Sequence, residues 1–299
     1  MKNRVLFVIG ARGSAYELNC NCIKSYMQVF GYSFTVCSCY DIESVDTSNF
    51  DIIWALAWMD ARVERVVRNF EGIKCATVGS HVHIEREMHG MLQHYNFVFS
   101  VSDRIRNQLE SLGYGSTLIN YFYPEDVFFP AEGYPKKFTV GWVGNFNRDE
   151  KRYEIFRKAV KGLDVDVKVS FLNSKHTDDG RIEVVPDISY KDMGSFYRGL
   201  SCYIVCSKTE GQPKTGVEAM LCGLPVVSSD VGLMKELNAL IIPEPLTVES
   251  VRLAIRRLAG SPDAAKQVGN DSLKTAKFRF DDRRILSEWK GIFEFITRE

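Results

Sequence analysis

Residues Ser207 to Asp230 read SKTEGQPKTGVEAMLCGLPVVSSD, and the rest of the chain is understood outward from them. The run just before, Cys202-Tyr203-Ile204-Val205-Cys206, is short, apolar and bounded by turn formers, the pattern of a strand buried on both faces of a parallel sheet. Glu210 to Gly216 then supplies the Gly and Pro of a tight loop. Val217 to Cys222 reads as a short helix stopped by Gly223 and Leu224-Pro225, and Pro225 to Ser229 as the next buried strand. A strand, a loop, a helix and a strand in that order put the loop at the carboxyl end of the sheet, where open α/β sheets hold ligands.

The first turn of a helix presents unpaired N–H groups and a partial positive charge, so Lys214 to Val217 offers a place for a phosphate or a sugar oxygen. Glu210 and Glu218, eight positions apart, flank it. A carboxylate accepts two hydrogen bonds and so suits a vicinal diol, of a ribose or of a hexose. Two carboxylates around an anion site describe a ligand with phosphate in the middle and a hydroxylated ring at each end, which is the shape of a nucleotide sugar. A glutamate early in a helix also serves simply as a partner for the helix dipole, worth up to about 1 kcal/mol.

Glu210-x7-Glu218 followed by Ala219-Met220-Leu221-Cys222-Gly223-Leu224-Pro225-Val226-Val227-Ser228 resembles the signature of family-4-like retaining glycosyltransferases, E-G-(x)6-E-A-M-A-C-G-x-P-V-V. The resemblance implies the α/β GT-B fold, two Rossmann-like domains whose parallel sheets face a central cleft. Residues 1–130, joined by a C-terminal helix of about residues 282–299, would bind the acceptor; residues 138–281 would bind the nucleotide sugar. In that family the first glutamate, here Glu210, contacts the donor sugar, and the second, here Glu218, binds the ribose. Gly211, Gln212, Lys214, Thr215 and Gly216 fall in the donor loop, where Gln212 to Gly216 replaces a more apolar stretch of the family.

Other stretches echo the same family. Phe138 to Gly144 is a strand ending in glycine, followed by Asn145 to Arg152, where the family holds the donor diphosphate with a Gly-Arg and a later lysine. Gly144 and Lys151 match; Asn145 stands at the arginine position, and Arg148 is the substitute from another register. A turn so charged is also an ordinary solvated loop. On the acceptor side the resemblance implies roles for Gly13 in the loop after the first strand, and for His81, with His83, after the fourth. A histidine at a strand's carboxyl end donates to a sugar hydroxyl or takes its proton, and is as often a satisfied polar residue.

Composition sets the outer bounds. At 299 residues, 45% apolar and 25% charged, the chain suits about two globular domains. With 38 basic and 38 acidic residues it makes no electrostatic case for nucleic acid, and no apolar run approaches the roughly 20 residues that span a bilayer. Peripheral membrane contact stays open. Met1 to Gly10 has the look of a secretory leader but is too short and ends in Gly-Ala-Arg-Gly. The eight cysteines lie mostly in apolar runs, which suits a reducing cytoplasm. Cys37 and Cys39 share a strand face whereas Cys20 and Cys22 diverge around a helix, which argues against zinc. Asp164-Val165-Asp166 opens an apolar strand, which argues against a metal there too, so neither metal nor cofactor is expected.

Along the chain, strands are expected at Val5–Ile9, Ser33–Cys39, Asp51–Ala57, Lys74–Val78, Phe97–Val101 and Val165–Leu172. Helices are expected near Tyr16–Phe30, Ala61–Asn69, Tyr190–Leu200, Thr247–Ala259 and Ile285–Ile296, and residues 131–137 read as a linker. The expected activity is a retaining, metal-independent transfer of a hexose from a nucleoside diphosphate sugar to a hydroxyl of a glycan, glycolipid or small molecule. The alternatives are a nucleotide-sugar-binding protein without transfer activity, and an epimerase or phosphorylase on the same fold.

Overall fold

The computed structural model describes residues 3–80, 84, 88–133, 135–171, 182–186 and 188–298. Two compact units emerge, one of residues 1–122 and 280–299, the other of residues 123–279.

The first unit is built on strands β1 (Arg4–Ile9), β2 (Ser33–Ser38), β3 (Ile52–Ala55), β4 (Ile73–Val78), β5 (Phe97–Ser100) and β6 (Thr117–Leu118). They form one parallel sheet in the order β2-β1-β3-β4-β5-β6. Val5 to Ile9 and Ile52 to Ala55 are buried without a break, as strands covered on both faces must be. Helices α1 (Ala15–Met27), α2 (Ala61–Asn69) and α3 (Asp103–Ser111) start at Ser14, Asp60 and Ser102, whose side chains accept from first-turn amides.

The second sheet comprises β7 (Thr139–Gly144), β8 (Asp166–Phe171), β9 (Glu183–Val184), β10 (Cys202–Val205), β11 (Val226–Ser229) and β12 (Leu240–Ile242). All neighbours are parallel, in the order β12-β11-β10-β7-β8-β9. The chain winds outward from β7 to β9, then crosses to β10 on the other side of β7 and winds outward again. That is the Rossmann order, and its switch point lies between β7 and β10. Helices α4 (Tyr153–Val160), α5 (Tyr190–Arg198), α6 (Lys214–Leu221), α7 (Val248–Ala259) and α8 (Pro262–Arg279) accompany it. Trp142, Phe156, Phe171, Ile204, Val227 and Ile255 share the core of this unit.

Helix α9 (Asp282–Ile296) returns to the first unit. Trp289 packs at a tilt against Trp54, ring centroids 5.0 Å apart, and its Nε1 donates to the carbonyl of Asn120 at 3.0 Å, while Phe293 meets Phe34 edge-on at 5.6 Å. Indole and phenyl at a four-residue spacing are therefore core packing.

Three boundaries differ from those read in the sequence. Tyr123 to Pro130 belongs to the second unit and not the first, because Phe128 packs on Tyr190 and Tyr197 and the Val127 carbonyl accepts from Arg198 Nη1 at 3.0 Å. Helix α6 begins at Lys214, three residues before Val217, because Pro213 at φ −66° serves as its N-cap and pre-sets the turn. Helix α8 was not expected: its buried face consists of Ala265, Gly269, Ser272 and Ala276, without one large apolar side chain to announce it. All eight cysteines are free thiols, and among the described residues no helix is long and apolar enough to cross a membrane.

Candidate active site

The loops that leave the carboxyl ends of β7 and β10 meet at the switch point of the second unit. After Gly144 the chain turns through Asn145, whose side chain accepts from the Asn147 amide at 3.0 Å, into a single 3-10 turn, Asp149–Lys151. From that turn the Lys151 ammonium reaches the carboxylate oxygen Oε1 of Glu210, to which Ser207 Oγ donates at 2.8 Å. Both side chains are largely withdrawn from water, Lys151 23% and Glu210 18% exposed. The backbone of Lys208 donates to the Glu150 carbonyl at 2.7 Å, so the two loops are tied by main chain as well.

Glu218 lies in the second turn of α6, 4% exposed, and its Oε2 accepts from the Tyr197 hydroxyl at 2.9 Å. Burial pushes its carboxyl up to about 7, opposed by the Tyr197 hydrogen bond and by the charge of Lys214. The Tyr197 phenol is in turn raised well above its ordinary range, first by its own burial and then by that carboxylate. Glu218 and Tyr197 thus form a buried, proton-sensitive pair.

The glycines and polar residues around this pair each have a packing reason. A Cβ on Gly144 would lie 2.8 Å from the Trp142 ring, and one on Gly216 would lie 2.9 Å from Met234 Sδ. The loop itself is held by Gly232, at φ +51°, where a Cβ would sit 2.2 Å from the Gly211 carbonyl. Thr215, in the first turn of α6, hydrogen-bonds the Tyr203 phenol, which also accepts from the Val143 amide at 3.1 Å. The start of α6 is thereby fastened to β7, with no side chain capping its amides. Gln212 is 6% exposed; its Nε2 donates to the Tyr123 hydroxyl at 2.8 Å, and its Oε1 is buried without a partner.

Among the residues singled out in the sequence, Gly144, Lys151, Glu210, Gly211, Lys214, Thr215, Gly216 and Glu218 gather around one end of the second sheet. Arg148 is 58% exposed with Glu150 3.8 Å away, so it stands on the rim of the loop. Gly13 is in the first unit, at φ +71°, and its amide donates to Glu17 Oε2 at 2.5 Å, a turn that opens α1. His81 and His83 lie outside the described residues.

Three participants escaped the sequence reading. Ser207 holds Glu210 from three positions upstream, a spacing at which a serine readily bonds back into its own loop. Tyr197 reaches Glu218 across 21 positions. Arg152 follows Lys151 with a left-handed backbone, φ 50° and ψ 40°, a conformation that costs a residue with a Cβ about 1 kcal/mol.

Residues 137–260, the segment that carries Gly144, Lys151, Glu210 and Glu218, match the family model for Glycosyl transferases group 1. An uncharacterized glycosyltransferase of Haemophilus influenzae is 25% identical over 167 residues, covering 54% of this chain and 41% of that protein. The match thus spans about two-fifths of the length of that curated relative. Sucrose-phosphate synthase from Thermosynechococcus elongatus superposes with a TM-score of 0.86 at 13% identity, over 99% of each chain. HepE of Anabaena, in complex with UDP-glucose, does so with a TM-score of 0.80 at 14% identity, over 97% of this chain and 99% of that one. A glycosyltransferase from Rickettsia africae gives 0.73 at 15%, over 100% and 99%. At such identities the likeness establishes the fold, and the fold is α/β of the GT-B class.

Proposed function

We propose that this chain, with a group 1 glycosyltransferase domain on a GT-B fold, transfers a hexose from a nucleoside diphosphate sugar to a hydroxyl acceptor, with retention and without a metal ion. The observation that carries the reading is the pairing of Lys151 with Glu210 at the switch point of the second sheet, beside the uncapped start of α6. A cation, the start of a helix and a carboxylate within one loop cluster are the groups a sugar diphosphate requires.

In this reading the diphosphate lies at the first turn of α6 and draws the Lys151 ammonium to itself. Glu210, released from that partner but still held by Ser207, accepts hydroxyls of the hexose. The anomeric carbon–oxygen bond to the diphosphate breaks, and the bond to the acceptor oxygen forms on the same face of the sugar. The acceptor's proton passes to the departing diphosphate, and Lys151 stabilises the negative charge that develops there. Such stabilisation by pre-placed charge is usually the largest catalytic contribution. No protein nucleophile takes part. Glu218, in ionised form, accepts the ribose diol.

HepE has been seen with UDP-glucose, which makes UDP-sugars the first donors to try. The acceptor is a hydroxyl of a glycan, glycolipid or small molecule, and eight free thiols suit a reducing cytoplasm.

The test is a transfer and hydrolysis assay on the purified chain with UDP-, GDP- and ADP-sugars and a panel of hydroxylated acceptors. It is run with and without EDTA, with the anomer of the product read by NMR. Turnover insensitive to EDTA with retained configuration is expected. Binding of donor without turnover on any acceptor would favour a nucleotide-sugar-binding protein, and absence of any nucleotide binding would sink both readings.

A further inference from the structure

Arg152 plays no part in the chemistry above, yet it adopts a backbone conformation that glycine takes freely and other residues rarely do. It occupies the N-cap position of α4 without a side-chain capping hydrogen bond, so helix initiation does not account for it. The direction of its side chain does. The guanidinium crosses the end of the sheet, where Nη2 donates to the Ser207 carbonyl at 3.2 Å. Nη1 and Nη2 also grip Glu244 at 3.1 and 2.6 Å, a two-pronged ion pair in which the arginine is 17% exposed. The same Ser207 carbonyl accepts from Ser229 Oγ at 2.6 Å. The hydroxyl of Ser207 is the one that donates to Glu210. Arg152, which follows β7 and is anchored on Glu244 beyond β12, and Ser229, which closes β11, therefore both donate to the carbonyl of the residue whose hydroxyl holds Glu210.

We propose that Arg152 is a positioning residue of the donor site: anchored by Glu244, it fixes the Ser207 peptide and thereby the placement of Glu210 against Lys151. The proposal rests on the reading of Lys151 and Glu210 as donor-site groups. A plain structural brace between the β7 loop and Glu244 would show the same contacts at Arg152 but would be indifferent to Glu210, and that difference is measurable.

The experiment is a double-mutant cycle on the full chain. Arg152→Gly and Glu244→Gln are made alone and combined with Glu210→Gln, and urea unfolding is followed for each. Arg152→Gly deletes the guanidinium while giving the left-handed position to the residue best suited to it, so backbone strain does not confound the result. Non-additive shifts of the unfolding midpoint are expected for Arg152→Gly with Glu210→Gln; additive shifts overturn the proposal. In the transfer assay Arg152→Gly should lower kcat by about 10- to 100-fold, the loss expected of a small misplacement, with donor KM changed less than about threefold. A changed KM at constant kcat overturns the proposal as well. Should the wild-type chain neither bind nor turn over nucleotide sugars, the functional reading fails and the unfolding cycle alone decides this one. If Arg152→Gly does not fold, Glu244→Gln, at the half-exposed outer end of the pair, carries the same cycle.

Discussion

Lys151 and Glu210, 59 residues apart in sequence, are joined by an ion pair across the carboxyl ends of β7 and β10, and Ser207 donates to the same carboxylate oxygen. Each neutralises the other in a setting with little water, so removing one leaves a poorly solvated charge behind. Lys151→Ala should therefore cost about 1–2 kcal/mol of stability and, in the proposed reaction, about 100- to 1,000-fold in kcat. Glu210→Gln keeps an acceptor for Ser207 and should cost less stability for a comparable loss of turnover. Urea unfolding beside single-turnover kinetics of both variants checks the pair.

Glu218 supplies a pH signature. Its folded-state value of about 7 lies above the ordinary 4.5, so the folded protein holds that proton more tightly than the unfolded chain does. Stability should consequently fall as pH rises from about 4.5 to about 7, with a penalty of up to about 3 kcal/mol fully present above that window and absent below it. Glu218→Gln, neutral throughout, should gain on the wild type at pH 8 and not at pH 4.5. Nucleotide affinity should move the opposite way, rising in the wild type toward pH 8 as the carboxylate ionises and staying weak and flat in the variant. Unfolding and calorimetric titrations at the two pH values test both halves.

Gly232 fixes the loop that carries Glu210. At φ +51° an alanine is strained, and its Cβ would sit 2.2 Å from the Gly211 carbonyl and 3.0 Å from Pro213 Cδ. Gly232→Ala should destabilise by about 1–3 kcal/mol and reduce turnover beyond what the unfolded fraction explains. Gly133→Ala, with nothing within 4 Å of its Cβ, is the control and should leave both unchanged.

In the first unit, Trp289 joins an aromatic cluster with Trp54 and Phe293 and caps the Asn120 carbonyl. Trp289→Ala should cost about 3–5 kcal/mol, and Trp289→Phe, which keeps most of the volume but loses the hydrogen bond, about 1–2 kcal/mol. Chemical denaturation of the two variants ranks them.

The sequence was most legible where large apolar side chains recur with the period of their element. Val5 to Ile9, Ile52 to Ala55 and Cys202 to Val205 are unbroken apolar runs and became buried strands. Val63 and Val67, or Trp289 and Phe293, repeat at helical spacing and became the buried faces of helices. Helix α8 was missed because small residues line its buried face, where Gly269 lets it approach Gly223 so closely that a Cβ would lie 2.3 Å from that carbonyl. The two-residue strands β6 and β9 are set by pairing with neighbours and carry too little pattern to be read. At the site, the motif around Glu210 and Glu218 was visible as a local string. Its partners were not, because Arg152 meets Ser207 across 55 positions and Tyr197 meets Glu218 across 21. Contacts of that span belong to topology, and no periodicity encodes them. Arg148 was read as a substitute from another register; Arg152, which the sequence did not single out, is left-handed and its guanidinium reaches Ser207.

Because α9 belongs with the first unit while residues 123–279 form the second, the sheet of the first unit is completed only by a segment that follows the whole of the second in the chain. A nascent chain stalled near residue 279 would hold every residue of the later unit, yet still show Trp54 and Phe34 without the indole and phenyl that cover them. Until α9 has emerged, the first sheet is an unfinished surface for chaperones to guard, so a chain broken off before α9 should harm the unit whose own strands lie far upstream of the break.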